Sequence, residues 1–477
     1  MKISIFTEWH KTTGRGHLTR CISLAESFIE IGFNPVIFID CDENIEIKIN
    51  PNILYVKWLS NKSLFEKKAK DSHIIIIDSY LAPVFYYKKA GELCDVPVFF
   101  DDYFRLNYPK GIIVNGSIGI NSDFYKRYNF NNTVLAGASY QIINKEFKNN
   151  PVKKTLKKVT NILITLGGVN YNNFINELIT EIQKLDRNIK LHVVVSNNYQ
   201  KTINSKNILY YSDIDACEMN SLMCLSDFAI TGVGQTIYEL IATKTPFVAI
   251  KLADNQKYNA IGLQNLKLAT VIKKFNLNET FINEIKTLLT FEKRNELSSK
   301  YQTVIDSKGA SRIISEIFKE GLKNWFNIRK ASASDMLSVF KLSNNSEVRN
   351  NSFHQKEILL EEHKIWFKNT INNPDIYFLI VEVAKRFAGQ IRYNIEQNEC
   401  VVGISVSSEF RGISLGEKAL KESAKKFKQR FPNINKISAY IKNDNIASIK
   451  IFEKAGYKML LENDINNFNA RKYILNL

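Results

Sequence analysis

The 477-residue chain is short of the features that mark several protein classes. No apolar run reaches the roughly 18 residues of a membrane span, so no membrane partner is expected. A strand pattern starts almost at once, without the charged and apolar regions of a signal peptide, and a cytoplasmic location is the expectation. The six cysteines, Cys21, Cys41, Cys94, Cys217, Cys224 and Cys400, form no C-x-x-C pair. That spacing argues against a structural zinc site or a disulfide framework and for reduced thiols. There is no low-complexity tract, no repeat at a solenoid period and no nucleic-acid reader motif. The net charge of +17 is high, but its lysines are spread along the chain and not gathered in one stripe, so nucleic acid is not an expected partner. No motif speaks to oligomeric state.

What is present is an alternation of apolar strands and amphipathic helices, long enough for several domains. Residues 1–150 read as one α/β unit, with strands near 2–6, 35–39, 53–56, 74–77, 96–100 and 112–114. The run from Ile74 to Ile77 is apolar throughout and ends in Asp78. Such a run suits a parallel strand covered on both faces, with its C-terminal end at the ligand-binding edge of the sheet. A polar, basic connection at 149–158 leads to a second α/β unit over 151–322, and the pattern changes again for 323–477 to a small α+β unit. The expected architecture is thus α/β, a GT-B-like pair of Rossmann-type domains followed by an α+β domain.

Three glycine-containing stretches carry chemistry. Gly14-Arg15-Gly16-His17-Leu18-Thr19-Arg20 follows the first strand and opens a helix from about Leu18. Glycines there admit close backbone approach, the helix N-terminus favours an anion such as diphosphate, and His17 is placed to accept a proton from water. Asp78, Ser79 and Tyr80 are expected on the same rim. Leu166-Gly167-Gly168 and Thr231-Gly232-Val233-Gly234-Gln235 supply two further turns in the second unit. Together these loops offer diphosphate contacts without a metal, and no D-x-D motif stands at a strand end where a metal role would need it.

The ordered set of stretches resembles the UDP-sugar hydrolases of pseudaminic acid biosynthesis, relatives of the GT-B glycosyltransferase of peptidoglycan synthesis. It comprises Gly14–Cys21, Ile77-Asp78-Ser79-Tyr80, Asp101-Asp102, Gly137–Tyr140 with Phe147, Leu166–Gly168, Gly232–Glu239 and Ala253–Gln256. The resemblance implies inverting hydrolysis of UDP-2,4-diacetamido-2,4,6-trideoxy-β-L-altropyranose to the free sugar and UDP, with His17 as general base. It implies substrate and UDP contacts from Gly14, Gly16, Arg20, Tyr80, Gly167, Gly168, Gly234, Gln235, Glu239 and Asn255, with Glu239 accepting from the ribose hydroxyls. Arg20 has a second reading, as the partner of a local carboxylate. The chain departs from the family at Ser79, where many relatives carry histidine, and at Asn144 and Asn170.

In the third unit Arg411-Gly412-Ile413-Ser414-Leu415-Gly416 lies between a strand ending at Val406 and a helix, and Asn445 to Tyr457 reads N-x-A-S…F-E-K-x-G-Y. Both stretches resemble GNAT N-acetyltransferases. The resemblance implies acetyl-CoA as co-substrate, with no cofactor held permanently, and contacts from Val406, Arg411, Gly412, Gly416, Asn445 and Ser448. Ser414 replaces the middle glycine, which is tolerable if its φ stays negative. Phe452 stands where many relatives have the tyrosine that protonates the leaving thiolate. Glu347, His354 and Glu382 are candidate bases by residue type alone.

The two resembled enzymes are consecutive, because acetylation of a UDP-linked 4-amino sugar yields the hydrolase's substrate. A bifunctional nucleotide-sugar enzyme is therefore the expectation. The alternatives are a UDP-sugar-dependent glycosyltransferase fused to an acyltransferase of a related amino-sugar or nonulosonic-acid pathway, an acyltransferase half acting on another sugar or with a longer acyl group, and a non-catalytic module binding anionic surfaces.

Overall fold

A computed structural model describes residues 1–10, 15–42, 52–126, 132–148, 150–151, 153–167, 171–196, 199–272, 277–396, 399–465 and 468–477. The chain divides into two compact units, Lys2–Ile314, and Ser315–Leu477 with Met1. Gly14, Gly168 and Asn170 lie outside the described residues.

The first unit is built on two parallel sheets. The strands of one are β1 (Ile3–Trp9), β2 (Val36–Cys41), β3 (Asn52–Tyr55), β4 (Ile74–Asp78), β5 (Val96–Phe100), β6 (Ile112–Asn115) and β7 (Thr133–Ala136). Their order is β3-β2-β1-β4-β5-β6-β7, so the winding reverses between β1 and β4. Open α/β sheets bind ligands beyond the C-terminal ends of their strands at such a reversal. The central strands explain themselves: every residue of Ile74–Asp78 is buried, as a strand covered on both faces requires.

The other sheet has β8 (Asn161–Thr165), β9 (Lys190–Val194), β10 (Ile208–Tyr211), β11 (Phe228–Gly232), β12 (Phe247–Ile250) and β13 (Thr270–Ile272), ordered β10-β9-β8-β11-β12-β13. Its reversal lies between β8 and β11, the strands that feed Gly167 and Gly234. The two sheets' halves meet at small residues. A Cβ on Gly119 would fall 2.0 Å from the Tyr258 carbonyl oxygen, and one on Gly262 2.5 Å from the Gly119 nitrogen. Only glycine allows that backbone approach. The Tyr238 hydroxyl accepts from the Ile118 amide at 3.0 Å and donates to Asn259 at 2.5 Å, adding a polar tie.

The second unit carries a mixed sheet of β14 (Phe326–Lys330), β15 (Ile376–Val383), β16 (Arg386–Glu396), β17 (Glu399–Val406), β18 (Lys436–Lys442), β19 (Lys458–Ile465) and β20 (Phe468–Asn476). The order is β14-β15-β16-β17-β18-β20-β19. Only β17 and β18 are parallel neighbours, and they pair at just two positions, Cys400 with Ile437 and Val401 with Ser438. Beyond that point the strands part.

Sequence periodicity located most central strands and missed β7, β10 and β13. All three are edge strands of only three or four residues, too short to show a period. The first helix begins at Gly16, earlier than expected, and ends at Glu30, with Gly32 at φ +84° just beyond. Among the described residues no helix is long and apolar enough to cross a membrane.

Candidate functional site

His17 sits in the first turn of the helix Gly16–Glu30, directly after β1, and is 4% exposed. Asp78 is the last residue of β4 and pairs in register with Thr7 of β1, which brings the helix start over the strand end. The outcome is a hydrogen bond of 2.6 Å between His17 Nδ1 and Asp78 Oδ1. Arg20, one turn further along, donates to the same carboxylate from Nε (2.8 Å) and Nη2 (2.7 Å). It also donates to Asp102 at 2.8 and 3.2 Å. Burial would lift the Asp78 carboxyl, but Arg20 and then His17 outweigh it and hold the group well below the usual carboxylate range. Burial likewise opposes ionisation of Asp102, and Arg20 again overrides it.

Arg20 therefore pairs with two local carboxylates, as the second of its two sequence readings has it. The paired aspartates divide their work. Asp102 accepts from Arg20 and, at 2.6 Å, from the Tyr80 hydroxyl. Asp101 anchors the following loop, accepting from the Phe104 amide at 2.9 Å and the Tyr125 hydroxyl at 2.8 Å.

Tyr80 packs its ring edge-on against His17, with ring centroids 4.0 Å apart. Its backbone amide donates 2.8 Å to the buried Glu8 of β1. Ser79 donates to the same carboxylate and accepts from the Ala82 amide at 2.8 Å. The hydroxyl that stands in place of the family's histidine is thus buried and occupied in shaping the turn. Across from Tyr80, Asn255 Nδ2 approaches its hydroxyl at 3.4 Å, while Asn255 Oδ1 is buried with no hydrogen-bond partner among the described residues. Tyr80, Tyr103, Asn255, Lys257 and Tyr258 help to line a cavity of about 470 Å³ between the two sheets. His17 is not among its lining residues but packs against one of them, Tyr80.

The second sheet's contributions differ in kind. Gly167 has φ +91°, and a Cβ there would meet nothing within 4 Å, leaving room above the turn. Gly234 opens toward Gln256. Gln235 is turned elsewhere: it accepts from Gln141 at 2.8 Å and donates to the Ile142 carbonyl at 2.7 Å, so its side chain ties the two halves together. Glu239 lies in the first turn of the short helix Thr236–Ala242, half-buried, and burial pushes its carboxyl up to about 7.

In the second unit a cavity of about 1330 Å³ opens where β17 and β18 diverge. Backbone groups of β17 beyond Val401 have no ladder partner on that side, the arrangement an extended ligand chain requires. Val406, Arg411, Gly412, Gly416, Asn445 and Ser448 all line this cavity.

The comparisons with known proteins follow the same division. Residues 161–317 match the Glycosyltransferase family 28 C-terminal domain, and residues 326–458 match the Acetyltransferase (GNAT) domain. An uncharacterized protein of Methanocaldococcus jannaschii is 27% identical over 96% of this chain and 97% of its own length. The Helicobacter pylori pseudaminic acid cytidylyltransferase and UDP-2,4-diacetamido-2,4,6-trideoxy-β-L-altropyranose hydrolase is 26% identical over 58% of this chain and 50% of its own. The Bacillus subtilis spore coat polysaccharide biosynthesis protein SpsG is 23% identical over 66% of this chain and 96% of its own.

The chain joins a UDP-sugar hydrolase-like domain to a GNAT acetyltransferase domain. In the GNAT domain one expectation is corrected. Ser414 has φ +64° and not the negative value assumed, because the loop must turn into the helix Leu415–Arg430 within one residue. Gly412 also has positive φ (+76°) and open space above it. Gly416 serves packing: a Cβ there would sit 3.2 Å from the Ile451 side chain. Asn445 caps the helix Ile446–Lys454 by accepting from the Ser448 amide at 3.1 Å.

Of the three candidate bases, Glu382 is held at the far edge by Arg329 (2.8 Å) and Asn327 (2.9 Å) and does not line the GNAT cavity. Glu347 lines it but is paired with Arg411. His354 is on the lining and exposed. Phe452 is buried at the cavity wall, packed on Tyr457 with ring centroids 4.9 Å apart. Sequence reading singles out neither His363 nor Arg392, both of which line the cavity. His363 is buried beneath Phe340 and Trp366, and its ring nitrogens have no hydrogen-bond partner among the described residues. Neither belongs to a motif, and only the strand and helix registers bring them to the site.

Proposed function

We propose that the hydrolase-like domain cleaves UDP-2,4-diacetamido-2,4,6-trideoxy-β-L-altropyranose to the free sugar and UDP, and that the GNAT domain first acetylates the corresponding UDP-linked 4-amino sugar from acetyl-CoA. The observation that carries the hydrolytic half is the His17–Asp78 hydrogen bond. A carboxylate held in its ionised form at Nδ1 fixes the tautomer with the proton on that nitrogen, leaving Nε2 as the basic atom. The likeness to the Helicobacter pylori enzyme, whose name includes this hydrolysis, supports the choice of substrate.

In the hydrolytic step water attacks the anomeric carbon as the bond to the diphosphate oxygen breaks, and His17 takes the proton from the water. UDP leaves as an anion. Among the described residues no side chain caps the helix that starts at Gly16, and its first turn holds no acidic residue, so its positive end is available to the diphosphate. The turns at Gly167 and Gly234 contribute backbone amides from the opposite sheet. Asn255, with its unpartnered buried oxygen, and Tyr80 contact the sugar, and Glu239 accepts from the ribose.

In the acetyl-transfer step the amine attacks the thioester carbonyl, a C–N bond forms and the C–S bond breaks. The proton lost from the amine nitrogen balances the one taken up by the leaving thiolate, and Phe452, with no hydroxyl, does not deliver it.

The competing reading keeps the fold and makes the first half a glycosyltransferase. UDP release measured with and without added sugar acceptors tests it. Release in water alone at the full rate supports hydrolysis, and release only with an acceptor overturns it.

A further inference from the structure

The floor of the GNAT cavity carries an unclaimed cation. On β16 the residues Gln390, Arg392 and Asn394 share one face, as alternating strand residues do. On β17 Gly403 stands directly opposite Arg392 in the register, flanked on its own face by Val401 and Ser405. All six line the cavity. A Cβ on Gly403 would meet nothing within 4 Å, so the space beside Arg392 is open where a side chain would otherwise fill it.

Arg392 is half-buried, and the Trp366 ring lies 5.2 Å from its guanidinium carbon. It makes no hydrogen bond or ion pair among the described residues. The other arginines of the lining are engaged: Arg411 with Glu347, and Arg349 with the carbonyls of Ser343 and His354. Burial lowers the pKa of Arg392, with no anion to offset the cost of removing it from water. The carboxylates of Glu357 and Glu362 also belong to the lining but stand at exposed positions. A planar fork of donors facing open space beside neutral polar groups is suited to a phosphate.

We propose that Arg392 binds the diphosphate of the acyl acceptor, so that the amine enters acetyl transfer while still linked to its nucleotide. The proposal rests on the reading of this domain as an acetyltransferase of UDP-linked amines and names the residue that selects for the nucleotide. The phosphates of coenzyme A are the other source of the same chemistry. Arg392 is on β16, one strand away from the β17–β18 gap and from the Arg411–Gly416 turn that serves the co-substrate. That placement assigns it to the acceptor.

The test measures CoA release by the full chain, with the UDP-linked 4-amino sugar and with the same amino sugar lacking UDP, for wild type, Arg392→Gln and Arg392→Lys. Losing charge-assisted hydrogen bonds should raise the KM for the UDP-linked amine by about 10- to 100-fold in Arg392→Gln. Arg392→Lys, which keeps the charge and the fold, should show a smaller rise. The KM for acetyl-CoA and the rate with the free amino sugar should stay at wild-type values. An unchanged KM for the UDP-linked amine in Arg392→Gln overturns the assignment, as does a rise confined to acetyl-CoA or an equal loss with every substrate. If the wild type itself fails to acetylate the UDP-linked amine, the underlying reading of the domain falls instead.

Discussion

Asp78 Oδ1 accepts from His17 Nδ1 at 2.6 Å while Arg20 holds both oxygens of the same carboxylate from Nε and Nη2. One buried anion thus orients the imidazole and is itself locked by a two-point ion pair. This fixes the His17 ring at the point where β1 and β4 reverse the sheet's winding.

Replacing His17 with Gln should lower UDP release by about 10²- to 10⁴-fold, the usual contribution of a general base. CoA release by the GNAT domain should be unaffected. Parallel assays of the two products on one preparation check this, and loss of both would indicate misfolding.

Asp78→Asn should lower UDP release strongly as well, because an amide can present its NH₂ to Nδ1 and favour the wrong tautomer. It also leaves Arg20 with one carboxylate, and breaking a buried pair costs about 3–5 kcal/mol. Urea melts of the variant beside wild type should show the lost stability, and kinetics below the transition should show the lost rate.

The acid limb follows from the depressed carboxyls. Asp78 and Asp102 both titrate lower when folded than when unfolded. Their stabilising contribution is therefore complete above the unfolded value of about 4 and is lost as pH falls through the folded values. Asp102→Asn should be less stable than wild type at neutral pH, and the gap should narrow as the pH drops below about 4. Denaturant melts across that range measure it.

Glu239 has the opposite sign. Its carboxyl is raised to about 7, so the folded state keeps a proton that the unfolded chain releases, and stability falls as pH rises from about 4.5 to 7. Glu239→Gln should remove that slope. A ribose hydroxyl donates best to the ionised group, so UDP affinity should improve as pH passes 7 in the wild type and not in the variant. Calorimetric titration with UDP at several pH values reads this directly.

Ser414→Gly should raise the melting temperature of the GNAT domain. A non-glycine residue at φ +64° bears a left-handed strain of about 1–2 kcal/mol, partly offset by the greater unfolded-state freedom of glycine. A net gain of about 0.5–1 kcal/mol is expected, and calorimetry of both proteins checks it.

Much of this was legible in the sequence, for reasons that can be named. The isoleucine run ending in Asp78 announced a buried parallel strand with a carboxylate at the ligand edge, and the glycine turns announced the helix starts. What Asp78 does was not legible, because its partners His17 and Arg20 lie 61 and 58 residues away and meet it only through the β1–β4 register. The reading of Arg20 stayed open for the same reason. Gly416 and Asn445 looked like ligand contacts and also serve helix packing and capping, which motif spacing does not separate from binding. Arg392 was invisible: a lone arginine in a strand carries no signal until Gly403 is set opposite it.

The central claim is that two consecutive reactions share this chain. It is tested most directly by supplying the UDP-linked 4-amino sugar with and without acetyl-CoA and following UDP. The account predicts little UDP release from the amine alone and a rapid increase once acetyl-CoA is added, preceded by CoA release. UDP release at the same rate in both conditions, or none after the amine has been acetylated, would contradict it.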